Sequence, residues 1–589
     1  LTFFAGTFCK HPLAMAAADA VLGELERRGP ALQESLSRRT AELVAELRAA
    51  FAVVRCPIDV HHFASQFVFQ AGAADSIGEL FFKGLVHRGV YVWEGRTSFL
   101  STAHSAEDLE AVVAAARDTA RELVDGRVLV PGLPSAGPAP AAWFPCRDEQ
   151  QLLWLGMEMD PGAAAVYNEV LTIPLRGRVD EAVVAEAVRA LVGRHDALRL
   201  RLDAQGRRQS VVDDPACPLE LVGAGEGDAR WERARAAVAA LRAGPFDLER
   251  GPLVRAALLR LRDGEHVVAL AAPHLAVDGW SLTVLRREFE LAYRALAAGE
   301  APAWDPPARF EEFVRWEVRG QAAGGDRALA HWRRRLDGLD PRPMLPGSPA
   351  SARSYAARRL RRELPRETRA GLRSACSALA ATPFMIGLAA WFGALRLTTG
   401  RPDLVVAITV AGQPLAGGHD LVGYCLKVLP IRVAVDPADS FATVVGRVST
   451  GISEARDNWF VPESAVIEAA WAARDRARAP LGGVSFELER PEPAVTLEAA
   501  APIDVDLVGR PFTKWDASMI LADEGEVLAA ELVHTAPALA ADEAAALLQV
   551  YAEILRAGCA DPTACLRPAA APGPRLARRK PVRLESPDR

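Results

Sequence analysis

The sequence predicts a mixed fold of the α/β (α+β) type, in which helices and short strands alternate through several domain-sized units. The length of 589 residues suggests three to four units of about 150 residues each. Half of the residues are apolar, which is enough for several cores and excludes a mainly disordered or fibrous chain. Segments with helical spacing of apolar residues are interleaved with short β-type runs, and this alternation defines the class.

Composition and charge exclude several function classes. Lys and Arg total 69 against 75 Asp and Glu, so no basic excess favours nucleic acid as a partner. The eight cysteines form no CxxC pair and no Cys/His cluster at metal spacing, which argues against disulfides and a metal site. The first residues lack the features of a signal peptide, and we expect a cytoplasmic protein.

One uncharged stretch is long enough to span a bilayer. It runs from Ser374 to Leu395 without a charged residue. It also contains Pro383 and is rich in Ala and Gly, so we expect a buried helix of the protein interior rather than a membrane span.

Residues 1–126 are predicted to form an α+β unit. Apolar residues recur at helical spacing from Pro12 to Ala50. A capping-box pattern at Ser105–Asp108 precedes an amphipathic helix at Leu109–Leu123. Short β-type runs lie at 66–69 and 89–93.

A long region follows a linker. Residues 127–142 are rich in Pro, Gly and Ala, which is typical of a linker, and residues 568–589 form a Pro- and Arg-rich tail. Between them, a strand at 170–175 precedes a helix at 181–194. A hairpin pairs 253–261 with 266–272 through an Asp263-Gly264 turn, and a later strand covers 404–410.

The sharpest local feature is the loop that follows the hairpin, Pro273-His274-Leu-Ala-Val-Asp278-Gly279-Trp280-Ser281. Imidazole is suited to proton transfer or to holding an attacking amine, and a carboxylate in the turn can lock the loop by pairing with an Arg. We expect Ser281 to cap a helix at 282–296. A purely structural strand-to-helix connection fits the loop equally well, whereas a GxSxG elbow is absent.

Further segments flank this loop in a fixed order along the chain. They are Asp148–Trp154, Tyr167-Asn168, Gly193–Arg199, Phe310–Trp316, Val422–Arg432 and Lys514–Asp516. Together they resemble the condensation domain of nonribosomal peptide synthetases, whose signature is HHxxxDG. Six ordered matches over some four hundred residues are far more specific than one loop.

The resemblance implies two lobes, 143–305 and 306–567, each like chloramphenicol acetyltransferase, arranged as a V around a tunnel. The implied substrates are thioesters on the phosphopantetheine arms of an upstream acyl-carrier and a downstream peptidyl-carrier protein. The acceptor amine attacks the donor carbonyl and an amide forms. The resemblance implies no cofactor for this domain and places an adenylation domain downstream.

Carried onto this chain, the resemblance makes His274 the catalytic histidine, as a base or as the group that positions the amine. Asp278 would hold the loop through an Arg. Gly279 would let the backbone approach the substrate, and its N–H would assist the oxyanion. The expected supporting residues are Trp280, Ser281, Arg199, Arg432, Gln413 and Asp516.

Three positions depart from the family pattern. Pro273 replaces the first histidine of the signature. Gln413 stands where many relatives carry an Arg, which leaves the partner of Asp278 open between Arg199 and Arg432. Lys427 replaces a usual Asn and suggests an altered tunnel wall. A buried ion-pair network is the alternative reading of Arg199, Arg432 and Asp516.

The sequence of the same loop also bears on which reaction of the family the chain performs. Heterocyclising relatives use DxxxxD, which the loop at 273–278 lacks. Epimerisation is not excluded by the loop alone, but the linker and the preceding unit argue against it.

The first unit resembles the carboxy-terminal part of class III aminotransferases, which use pyridoxal phosphate (PLP). The segments that carry the likeness are Gly6–Ala17, Trp93–Arg96 and Leu100–His104. The resemblance gives Thr7 a role in binding the PLP phosphate, often across a dimer interface. Lys10 and Lys83 do not match the Schiff-base lysine motif, so this piece alone cannot transaminate.

The order of the two units resembles hybrid polyketide–peptide assembly lines. We therefore expect condensation of an amino-bearing polyketide acyl donor with a carrier-bound aminoacyl acceptor. The alternative is a non-catalytic condensation-like domain that docks carrier proteins or a tailoring enzyme. A main activity as an aminotransferase is a third hypothesis, which the missing lysine disfavours.

Overall fold

The computed structural model describes residues 12–54, 56, 58–70, 75–92, 96–126, 143–160, 166–177, 179–213, 217, 219–223, 229–262, 264–340, 344–345, 355–471, 483–489, 507–509 and 511–566. The expected linker and tail and the predicted PLP residue Thr7 lie outside these ranges. The described residues form two compact units. One consists of residues within 12–126 and of 414–419, and the larger one holds the other described residues from 143 onward.

The first unit is an α+β unit with one small sheet. Its elements are α1 (Pro12–Arg28), α2 (Ala31–Val54), β1 (Asp59–Phe63), β2 (Gln66–Gln70), α3 (Asp75–His87), β3 (Ser98–Phe99) and α4 (Ala106–Asp125). The strands pair antiparallel in the order β1-β2-β3. Its core contains Leu47, Phe51, Phe69 and Phe81.

The expected helices and the expected capping box of this unit are confirmed, and one expected strand is wrong. The helical pattern of 12–50 forms two helices, which separate where Gly29 takes a positive φ of 63° and Pro30 follows it. Described residues 89–92 form no strand, and the third strand lies at 98–99. The Ser105 hydroxyl accepts from Asp108 N–H at 3.1 Å, and the Asp108 carboxylate accepts from Ser105 N–H at 2.7 Å, so the capping box is present.

The first half of the larger unit contains two sheets. Its elements are β4 (Phe144–Pro145), α5 (Asp148–Met159), β5 (Asn168–Arg176), α6 (Glu181–Arg194), β6 (Leu200–Leu202), β7 (Arg208–Val211), β8 (Leu219–Gly223), α7 (Ala229–Ala243), β9 (Arg255–Arg262), β10 (Glu265–Pro273) and α8 (Gly279–Ala297). The sheets have the orders β5-β10-β9-β8 and β4-β7-β6. The predicted strand at 170–175, helix at 181–194 and antiparallel hairpin are confirmed; Asp263 of its turn lies outside the described residues.

The second half contains one six-stranded sheet. Its elements are α9 (Phe310–Leu336), β11 (Ala357–Glu363), α10 (Arg366–Leu379), α11 (Pro383–Thr399), β12 (Asp403–Ala411), β13 (Leu426–Ala434), α12 (Phe441–Asp457), α13 (Glu463–Trp471), β14 (Val484–Glu489), β15 (Ala517–Asp523), β16 (Leu528–Thr535) and α14 (Ala541–Ala560). The strand order is β11-β16-β15-β14-β12-β13. The predicted strand at 404–410 lies within β12.

The uncharged stretch 374–395 is not the single helix that the sequence predicts. Ala380 takes a left-handed conformation (φ 47°), and Thr382 caps a new helix by accepting from Met385 N–H. The residues from Ile386 to Leu395 are all buried, so the expected burial is confirmed for α11. In the described part of the chain no single helix meets the length and hydropathy needed to cross a bilayer; α10 and α11 do so only as a pair, bent by 103°.

Two strand ends position the functional residues. β10 is an interior strand of the four-stranded sheet, and its apolar residues 267–272 are buried, so its last residue delivers His274 from a rigid base. In the second half, β12 ends at Ala411 and β13 begins at Leu426, and the connection between them carries Gln413 and Cys425.

Candidate active site

His274 is held by its backbone and by one ring nitrogen. Its N–H donates to the Tyr167 carbonyl at 2.5 Å, and Nδ1 lies 2.9 Å from the Val277 carbonyl oxygen. Because a carbonyl only accepts, Nδ1 carries the proton and Nε2 presents a lone pair. The Tyr424 ring packs edge-on against the imidazole, with ring centroids 5.0 Å apart. The fixed tautomer leaves Nε2 able to accept a proton.

Asp278 is fully buried and accepts five hydrogen bonds. Three donors are the N–H and hydroxyl of Ser281 and the Cys425 N–H, at 2.7–2.9 Å. The other two contacts come from Gln413 Nε2, at 2.9 and 3.1 Å from the carboxylate oxygens. Asp278 is therefore the N-cap of α8, and the expectation that Ser281 caps this helix is wrong.

Neither arginine that the sequence offered as the partner of Asp278 contacts it. Arg432 forms an ion pair with Asp403 at 2.7 Å, and Arg199 pairs with Asp196 at 3.0 Å. The expectation of an Arg partner is wrong, because the amide of Gln413 occupies the position beside the carboxylate. The N–H and hydroxyl of Ser281 and the N–H of Cys425 are the other donors to Asp278. Uncharged groups therefore hold the loop.

Ser281 and Asp278 tie the loop to the second half of the unit. The Ser281 hydroxyl lies 2.9 Å from the Gly423 carbonyl oxygen and accepts from the Gly423 N–H at 3.0 Å. Gln150 supports the loop from the other side by donating to the Leu275 carbonyl at 2.8 Å. The sequence marks Gln150 and the 422–432 segment as motifs, but their contact with the loop depends on tertiary structure.

The loop borders a cavity of about 760 Å³. Both halves of the larger unit contribute to its wall. The lining residues include His274, Gly279, Trp280, Glu169, Phe384, Phe486, Lys514 and Trp515. A Cβ added to Gly279 would meet no atom within 4 Å, so the space beside it is open to a bound molecule. The roles expected for His274, Gly279 and Trp280 stay predictions.

Asp516 lies beside Gly483 and does not belong to the cavity wall. Its N–H donates to the Gly483 carbonyl at 2.8 Å, at the start of β15. Its neighbours Lys514 and Trp515 do line the cavity.

Four buried charges form a network behind the site. Arg147 pairs with Glu317 at 2.7 Å and with Glu149 at 3.0 Å, and Lys427 lies 3.0 and 3.1 Å from the same two carboxylates. Burial favours the neutral acid, but Arg147 and Lys427 lower the pKa of Glu317. Lys427 is fully buried and does not line the cavity, so the expected change of the tunnel wall is wrong.

Sequence reasoning missed Glu169. This residue follows Tyr167-Asn168 on β5, and its Oε1 lies 3.7 Å from His274 Nε2. Only the strand register, in which Glu169 faces Ala272, reveals the proximity. Among the described residues, no group of His, Cys, Asp and Glu side chains is arranged to hold a metal ion.

The fold and this loop define a condensation domain. The family described as "Condensation domain" matches residues 144–566, more than two thirds of the chain. The chain therefore belongs to this family, which nonribosomal peptide synthetases carry, and the predicted family is confirmed.

Curated relatives are much longer synthetases. Phosphinothricin tripeptide synthetase PhsC of Streptomyces viridochromogenes is 32% identical over 442 residues, which are 71% of this chain and 40% of that protein. Chondramide synthase cmdD of Chondromyces crocatus is 30% identical over 354 residues, 59% of this chain and 9% of that protein. The chain thus spans less than half the length of these relatives.

Solved structures share the fold. The X-domain from teicoplanin biosynthesis aligns with a TM-score of 0.63 at 24% identity, over 74% of this chain and 98% of that one. The first condensation domain of the calcium-dependent antibiotic synthetase, in complex with a substrate analogue, aligns with a TM-score of 0.60 at 23% identity, over 73% and 100%. These likenesses confirm a mixed α/β condensation-domain fold.

Proposed function

We propose that the unit from residue 143 forms an amide bond between a carrier-bound acyl thioester and the amine of a carrier-bound aminoacyl thioester. The observation that carries this proposal is the orientation of His274. Its Nδ1 donates to the Val277 carbonyl, which leaves Nε2 free of that bond, and the residue lines a cavity of about 760 Å³. A lone pair held at a cavity wall can accept the proton that the attacking amine loses.

The remaining residues of the loop support this step in the proposed mechanism. Asp278 and Ser281 hold the loop against the Gly423–Cys425 segment, so the imidazole keeps its place. The open space beside Gly279 accommodates the reacting thioester, and the Gly279 N–H is the proposed donor to the oxyanion. Trp280 forms part of the wall beside it.

We further propose that the donor is an amino-bearing polyketide acyl chain in a hybrid polyketide–peptide assembly line in the cytoplasm. The support is the resemblance of residues 1–126 to the carboxy-terminal part of a class III aminotransferase. When complete, that enzyme would use PLP, with Thr7 at its phosphate, and would form a dimer. The proposed partners are an upstream acyl-carrier protein, a downstream peptidyl-carrier protein and an adenylation domain.

Replacement of His274 tests the proposal. We expect His274→Ala to lower the single-turnover rate of amide formation by about 10²- to 10⁴-fold, because the variant lacks the proton acceptor. The rate is measured by mass spectrometry of the acceptor carrier after mixing it with a loaded donor carrier. Glu220→Gln, an exposed carboxylate on β8 of the same sheet, is the matched control and should keep the wild-type rate. A His274→Ala variant with the wild-type rate would refute the assignment.

A second candidate function is non-catalytic docking of carrier proteins or of a tailoring enzyme. Two observations favour it. One is the likeness to the X-domain from teicoplanin biosynthesis. The X-domain in its complex with OxyB aligns with a TM-score of 0.62 at 25% identity, over 73% of this chain and 98% of that one. Pro273 also replaces the first histidine of the signature. Carrier binding by the wild type without amide product under single-turnover conditions would decide for this function.

A further inference from the structure

We propose that Glu169 selects an amine over a hydroxyl group as the nucleophile, an inference that rests on the condensation reaction proposed above. Its Oε1 lies 3.7 Å from His274 Nε2, and its side chain is 35% exposed at the cavity wall. If His274 accepts the proton of the nucleophile, the nucleophile must lie beside Nε2. The carboxylate of Glu169 is then also next to the nucleophile.

The spacing of these two groups is built into the sheet. Glu169 faces Ala272 in the antiparallel pair of β5 and β10. Two residues before Glu169, the Tyr167 carbonyl accepts a hydrogen bond from the His274 N–H. The adjacent Asn168 amide donates to the Arg242 and Gly244 carbonyls at 2.7 and 3.0 Å. The backbone that carries Glu169 is thus anchored to the residue that carries the imidazole.

Both groups present acceptors to the cavity. An ionised carboxylate only accepts, and Nε2 carries a lone pair because Nδ1–H donates to Val277. At 3.7 Å they are too far apart to share a hydrogen bond. Among the described residues, no Lys or Arg lies within ion-pair distance of the Glu169 carboxylate. A single nucleophilic atom that hydrogen-bonds to both acceptors at once must therefore carry two hydrogens.

An amine meets this requirement and a hydroxyl group does not. One N–H points to Nε2 and the other to the carboxylate of Glu169. As nitrogen bonds to the thioester carbonyl carbon, the carbon–sulfur bond breaks and sulfur leaves as a thiolate. The first proton passes to Nε2 and then to the thiolate, and the second stays on the amide nitrogen, held by Glu169. A hydroxyl nucleophile has one hydrogen, so its oxygen lone pairs would face the carboxylate.

The test compares two acceptors that differ only at the nucleophilic atom. L-alanyl and L-lactyl thioesters are loaded on the same carrier protein, and each is mixed with one acyl-carrier donor and the full chain. We expect Glu169→Leu to lower the single-turnover rate with the alanyl acceptor by about 10- to 100-fold. The lactyl rate should stay equal or rise. Glu169→Gln should fall between, because its amide oxygen still accepts one hydrogen bond, and Glu220→Gln should change neither rate.

The outcomes separate this inference from the function on which it rests. If Glu169→Leu leaves the ratio of the alanyl rate to the lactyl rate unchanged, the role of Glu169 is overturned. The proposed condensation reaction would still stand. If the wild type condenses neither acceptor, the proposed function fails. Calorimetric binding of amide-linked alanyl and lactyl pantetheine then decides about Glu169. The alanyl compound should bind about tenfold more tightly to the wild type and equally with the lactyl compound to Glu169→Leu; equal wild-type affinities would overturn the inference.

Discussion

At the scale of single residues, the site is notable for a buried carboxylate that neutral donors satisfy. Gln413 makes both of its Nε2 contacts with Asp278, and no described residue donates a hydrogen bond to its buried Oε1. We expect Gln413→Leu to lower the free energy of unfolding by about 1–3 kcal/mol, because Asp278 loses donors inside the protein. Urea unfolding followed by tryptophan fluorescence measures this change.

The matched variant is Gln413→Arg. A guanidinium offers N–H donors to the same carboxylate and removes the unpaired acceptor, so its stability should stay closer to that of the wild type. If the Leu and Arg variants unfold at the same urea concentration, a donor to Asp278 at position 413 does not stabilise the loop.

At the scale of elements, the first turn of α13 carries an acid that titrates near neutrality. Glu463 is half-buried and accepts from the Val428 N–H at 3.1 Å. Burial of its carboxyl group, together with the nearby Glu149, raises its pKa from 4.5 to about 7. The folded state therefore binds more protons than the unfolded chain between these values. This group stabilises the fold below pH 4.5, and its contribution is lost as the pH rises through 7.

Glu463→Gln should remove this dependence while keeping an acceptor for Val428. The variant should match the wild type at pH 4 and exceed its free energy of unfolding at pH 8 by about 1–3 kcal/mol. Denaturation at both pH values measures the difference. Glu468→Gln, an exposed change on the same helix, should show no such difference. Equal stability of Glu463→Gln and wild type at pH 8 would contradict the shift.

Elements with local signals could be predicted from the sequence, and features set by distant contacts could not. The α6 helix and the loop at 273–281 follow from periodicity, caps and motif order, because neighbouring residues determine them. The break between α10 and α11 has no Gly to mark it in the sequence, and an alanine, Ala380, takes the positive φ there. The partner of Asp278 lies 135 residues away, and Glu169 meets His274 only through strand register.

At the scale of the whole larger unit, the four-charge network joins its two halves. Arg147 and Glu149 belong to the first half, and Glu317 and Lys427 to the second. All four side chains are at most 4% exposed. Two cations balance two anions, so the loss of one member leaves an uncompensated charge inside the protein.

Lys427→Met should therefore lower the free energy of unfolding by about 3–5 kcal/mol, because Glu149 and Glu317 then share Arg147 alone. The double variant Lys427→Met/Glu149→Gln restores the balance of one cation and one anion and should recover part of that loss. Urea unfolding of wild type, both single variants and the double variant gives the coupling energy. A double variant as unstable as the sum of the single ones would show that charge balance between the two halves does not stabilise the unit. Partial recovery would show that the halves are held together by a neutral set of buried charges, which keeps His274 and the opposite cavity wall in one cooperative structure.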